Sequence, residues 1–132
     1  MKQILIISCT LLLILGLHFV QYSFLKDSRE LIISKISKLE ESITNDESLD
    51  KIQANKQELE KLWNKKELGY GIFCEHSAVS DIKESMSSIY KYISLLNEEE
   101  TVKPHLLIEC NVLKERINKV VESERLKLTN VL

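Results

Sequence analysis

"ILIISCTLLLILGLHFVQYSFLKDSRELIISKISKLEESI", residues Ile4 to Ile43, joins two patterns end to end. From Ile4 to Leu25 no residue carries a formal charge with histidine neutral. As a helix rising about 1.5 Å per residue, that run reaches roughly 33 Å, enough to cross a hydrocarbon core of about 30 Å. It stops sharply at "KDSRE", Lys26 to Glu30. Beyond the stop, Ile32, Ile36, Leu39 and Ile43 recur at helical spacing. That is the signature of one buried face, so the apolar helix is expected to continue about five turns as part of a packed domain. The chain therefore reads as an anchor over residues 1–25 and a helical domain over 26–132.

Alternatives to an anchor fit less well. A cleaved signal peptide needs small residues before the cut, and the first alanine of the chain is Ala54. "IISC", Ile6 to Cys9, has the form of a lipoprotein box, yet few apolar residues precede Cys9 and lipid-like residues follow it. Lys26, Arg29, Lys35 and Lys38 behind the span would place the domain in the cytoplasm by the positive-inside rule. Single-pass anchors with very short tails commonly export their C-terminal domain, and the expectation is an extracytoplasmic bundle.

Composition supports helices. The 132 residues include only 3 Gly and 1 Pro, with 44% apolar and 29% charged residues. Lys2 aside, all of the 18 Lys/Arg and all 20 Asp/Glu lie after Leu25, giving a mildly acidic domain. No basic cluster with interleaved aromatics occurs, so nucleic acid is not an expected partner.

Breaks divide the domain. "TNDES", Thr44 to Ser48, is rich in capping residues. A second helix puts Leu49, Ile52, Leu59, Leu62 and Trp63 inward, and "ELGYG", Glu67 to Gly71, is expected to end or bend it. The third stripe runs Phe73, His76, Val79, Ile82, Met86, Ile89, Ile93 and Leu96. "NEEET", Asn97 to Thr101, makes the next turn, with Pro104 in the first turn of a fourth helix. Leu106, Cys110, Leu113, Ile117 and Val120 form its inner face. Leu126, Leu128, Val131 and Leu132 are expected to fold back onto the bundle. The fold expected is all-α: a transmembrane helix followed by an antiparallel bundle of about four helices.

Chemistry is sparse. "CEH", Cys74 to His76, gathers reactive side chains, but helical residues two apart point about 200° from each other. His76 is expected on the core stripe as a half-buried histidine bonded to a facing polar group, with Asp81 poorly placed to be that group. No H-x-x-x-H, H-E-x-x-H or C-x-x-C spacing occurs, so no metal or cofactor is expected. Cys74 and Cys110 fall too far apart along paired helices to form a disulfide. Within the span, Thr10, Ile14, His18 and Gln21/Tyr22 share a face: the plain reading has His18, Gln21 and Tyr22 reaching the membrane interface, where tyrosine is common, and the alternative is a meeting with another membrane protein. There is no nucleophile elbow or phosphate-binding glycine loop, and an enzyme is not expected.

Several landmarks carry a resemblance: the N-terminal span, Trp63 in "KLWNKK", Glu75-His76 followed by "VSDI" at Val79 to Ile82, and the closing "ERLKLTNVL" with Asn130 before Val131-Leu132. The chain resembles domain-of-unknown-function family 4363, short singly anchored helical proteins of clostridia and related spore-forming bacteria. Gly69 and Gly71 depart from the unbroken helix of that pattern. The resemblance implies membrane localisation and a multi-pass membrane protein as companion, with no established activity. The expected function is a non-enzymatic anchored accessory protein that binds another membrane or envelope protein. The alternative is an envelope sensor or ligand-binding bundle holding a small molecule or metal near His76.

Overall fold

The computed structural model describes residues 1–131, except the side chains of Leu128 and Val131. It is all-α, with α1 at Lys2–Thr44, α2 at Leu49–Phe73, α3 at His76–Leu95 and α4 at Val102–Val131. Each helix packs on its chain neighbours and α4 closes against α1, so the order is up-down-up-down around one core. Cross-helix pairs fix the antiparallel sense: Lys35 with Glu58 and Ser28 with Tyr70 across α1–α2, and Glu67 with Lys83 across α2–α3. Arg116 reaches Ser85 across α3–α4, while Glu40 meets Lys114 and Arg29 meets Glu122 across α4–α1.

α1 is one unbroken helix of two characters. Ile4 to Leu17 are exposed all round, and the helix is long and apolar enough toward its N-terminal end to cross a membrane. Gln21 to Phe24 are half-buried and Leu25 is enclosed; from there Ser28, Ile32, Ile36, Leu39 and Ile43 line the core. The 4-3-4 spacing thus becomes α1's share of the bundle, as expected. The inner faces expected for α3 and α4 also pack: Val79, Ile82, Met86, Ile89 and Ile93 on one, and Leu106, Cys110, Leu113, Ile117 and Val120 on the other.

Between α1 and α2 the chain turns at Asn45 to Ser48. Asp46 takes a positive φ of 50°, a conformation that Asp tolerates better than most residues, and its carboxylate accepts from Lys103 at 2.7 Å. Ser48 caps α2 by accepting from the Lys51 amide.

The next break lies elsewhere than expected. α2 continues through Gly69 and Gly71 to Phe73, and the chain bends only at Cys74 and Glu75, both extended. Gly69 serves close approach instead of termination, since the Phe24 ring of α1 occupies the space a Cβ would need. The bend lets Phe73 pack on Phe24 at 5.6 Å between centroids and turns Cys74 inward. The expected fold-back at the C-terminus is likewise corrected: α4 runs on as helix to Val131, and Leu126 is exposed. Leu132 and the side chains of Leu128 and Val131 lie outside the described residues.

Candidate functional site

The richest arrangement of side chains is at the end of the bundle where α1 enters it. There α1 from Gln21 to Ser28 meets the end of α2, the start of α3 and the last turns of α4. Gln21 donates through Nε2 to the Phe73 carbonyl at 3.3 Å and to Glu124 Oε2 at 3.1 Å. Among the described residues Glu124 is the one buried charged side chain, and its other oxygen accepts from Lys127 at 3.2 Å. Lys127 also donates to Glu75 at 2.9 Å, and these two bonds hold its ammonium above the usual lysine range. A polar chain from α1 through α4 to the α2–α3 bend therefore fixes the register of the base.

One layer inside lies an aromatic cluster. Phe24 stands edge-on to Tyr70 at 6.0 Å, Tyr70 packs on Trp63 at 5.3 Å, and the Lys66 ammonium sits 5.5 Å above the Phe24 ring. The fully enclosed Tyr70 hydroxyl bonds the Ser28 hydroxyl at 3.0 Å, while Ser28 also donates to the Leu25 carbonyl at 3.1 Å. Burial raises the Tyr70 hydroxyl above its ordinary pKa. Burial also pushes the thiols of Cys74 and Cys110 up to about 12, and both are free. A thiol so far above neutrality carries almost no thiolate and is a poor nucleophile.

His76 requires correction. It is the first residue of α3 and exposed, where a half-buried core position was expected: it keeps the stripe's spacing to Val79 but stands at the end of the helix, on the open α2–α3 groove that Val79 also lines. It lines an open groove of ≈ 570 Å³ between α2 and α3, with Asn64, Glu67, Leu68, Ile72 and Lys83 among its neighbours. The α2–α3 seam is the sparsest of the four. On it Leu68 and Ile72 are 76% and 68% exposed, more than any other large aliphatic side chain described beyond the N-terminal arm of α1.

The other residues singled out from sequence separate. Trp63 is buried in the aromatic cluster. His18 is half-buried on α1 below Gln21, and Asn130 is exposed on the last turn of α4. Asp81 is exposed beside a second groove between α3 and α4, and its carbonyl accepts from Arg116 at 2.6 Å. Among the described residues no three His, Cys, Asp or Glu side chains are grouped to hold a metal ion. Sequence reasoning missed Glu124, Tyr70 and Ser28. Ser28 and Glu124 fall on the inner face at i and i+4 spacing from apolar residues, Ser28 before Ile32 and Glu124 after Val120, and that coincidence was the available signal.

A family model described as Domain of unknown function (DUF4363) matches residues 19–131. The chain belongs to this family. The matched span starts close to Gln21, where α1 first meets the bundle, and takes in the four-helix packing and the aromatic base. No curated protein and no solved structure matches the chain.

Proposed function

We propose that this family member is a membrane-anchored accessory protein, without catalytic activity, whose bundle stands outside the cytoplasm and binds another membrane protein through the α2–α3 groove. The observation that carries this reading is the exposure of Leu68 and Ile72 beside that groove. Both lie at the base of the bundle: Tyr70, between them, bonds Ser28, and Phe24 covers Gly69. The apolar arm of α1 supports an anchor, and a groove within a turn or two of the bilayer is within reach of a partner that is itself in the membrane. Gln21 is taken up inside the chain, so recognition falls to the groove more than to that side chain.

A photo-crosslinking residue placed at Ile72 in cells tests this reading. One discrete membrane-protein adduct is expected, absent when the same residue is placed at Ile108, which is exposed at the far end of α4. Equal adducts from both positions, or none from either, would sink it. Orientation is read from Ile108→Cys, an exposed position far from the base, with a membrane-impermeant maleimide on whole cells; no labelling would put the bundle in the cytoplasm.

A second reading has its own support. His76 and Lys83 border the same groove, so it could take a small anionic ligand. Native mass spectrometry of protein purified from its own membranes separates the two, since a retained ligand favours a sensor.

A further inference from the structure

The end of α4 creates a conflict of lengths that the bilayer must resolve. Moving toward the base, Glu40 pairs with Lys114, Arg29 with Glu122 and Gln21 with Glu124, so α4 descends along α1 as α1's numbering falls. Glu124 is not its end. The helix runs on to Val131, about 10 Å further at 1.5 Å per residue. On the course those pairs set, its last two turns reach the level of Ile14 on α1.

The uncharged stretch of α1 lies between Lys2 and Lys26. If all of α4 stayed in water, only Ile4 to about Leu13 would remain for lipid, roughly 15 Å against a hydrocarbon core of about 30 Å. A mismatch of half the bilayer is far more than thinning absorbs. The span and the end of α4 must share a layer.

We infer that the last two turns of α4, Arg125 to Val131, lie in the headgroup and acyl-boundary layer of the bilayer alongside α1, a second point of membrane attachment for the bundle. This rests on α1 being the anchor. The chemistry of the segment fits such a place. Leu126 is 58% exposed, while Arg125 pairs with Glu122 at 3.0 Å and Lys127 with Glu75 and Glu124. Paired cations with long stems reach the headgroup layer while the backbone beside them sits lower. Thr129 donates to the Arg125 carbonyl at 3.0 Å, which removes one hydroxyl from the demand for water. The offset of about 10 Å along α1 is enough to pass through a headgroup layer of roughly 5–8 Å and reach the acyl boundary.

The test uses the full chain in phosphatidylcholine vesicles with no other protein, carrying an environment-sensitive thiol fluorophore at one position. Cys9→Ser provides the background, because the thiols of Cys74 and Cys110 are buried. Labels go on Leu126→Cys, on Ile108→Cys, which has the same 58% exposure at the far end of α4, and on Leu13→Cys in the arm. Expected is strong quenching by spin-labelled lipid at 13 and 126, with aqueous iodide at least threefold less effective at 126 than at 108. Lipid quenching at 13 with iodide equally effective at 126 and 108 would overturn the inference and leave the anchor standing. Absence of lipid quenching at 13 would overturn both. A label at 126 shielded from lipid and iodide alike would show protein covering it, and would also refute the lipid assignment.

Discussion

Replacing Gly69 and Gly71 separately by alanine tests the packing of α1 on α2 at the base. Both glycines lie within α2 and neither has a positive φ, so each accepts the backbone of alanine. In a helix interior that exchange is worth about 1 kcal/mol in favour of alanine. Nothing lies within 4 Å of a Cβ built on Gly71, and Gly71→Ala is expected to raise stability by about that amount. A Cβ on Gly69 meets the Phe24 ring. The ring must swing out, losing its ring contacts with Tyr70 and Phe73 at about 0.5–1.5 kcal/mol each and the Lys66 contact at about 0.5–1 kcal/mol. Set against the propensity gain of about 1 kcal/mol, Gly69→Ala is expected to cost about 1.5 kcal/mol net. The two variants then differ by about 2.5 kcal/mol, or roughly 10 °C in Tm for a domain of this size. Thermal unfolding of the full chain in detergent micelles, followed by far-UV circular dichroism, reads the difference. Equal stabilisation by the two substitutions would refute the close approach of the helices.

The buried hydroxyl pair gives an asymmetric result in the same unfolding assay. Tyr70→Phe costs about 1 kcal/mol because Ser28 keeps the Leu25 carbonyl, whereas Ser28→Ala strands an enclosed phenol and costs about 1–3 kcal/mol. Alkaline pH destabilises the fold: both buried thiols hold their protons to about 12, while the unfolded chain releases them near pH 8.5. Their contribution is complete below that lower value and is lost as pH rises toward the upper one, at up to about 1.4 kcal/mol per pH unit for each thiol. Urea midpoints between about pH 8 and 10.5 should fall, less steeply for Cys74→Ala; a flat profile would contradict the burial of the thiols. Leu68→Asp with Ile72→Asp should cost only about 1–2 kcal/mol, from helix propensity and an anion in the last turn of α2, since both side chains are exposed, while abolishing partner recovery from membranes.

How legible the fold was depends on where periodicity alone decides. Ile32 to Ile43, Val79 to Ile93 and Leu106 to Val120 each keep one unbroken 3–4 spacing, and each enters the core. The α2–α3 connection was misplaced because its local signals mislead. Gly69 and Gly71 advertise a stop, yet one serves the Phe24 contact, and the true bend at Cys74-Glu75 has no turn-forming residue. It exists through what it accomplishes in three dimensions, setting Phe73 on Phe24 and burying Cys74. His76 followed that error, moving from a core stripe to an exposed helix start. The Gln21–Glu124 link joins residues 103 positions apart, and no local pattern pairs them.

Quantitative crosslinked co-purification of the full chain from its own membranes, run beside the Leu68→Asp/Ile72→Asp variant, addresses the proposed role most directly. Expected is one membrane protein recovered in near-equal amount with the native chain and lost with the variant. Recovery of the native chain alone, or of the same companion with both chains, would contradict a groove-bound accessory role.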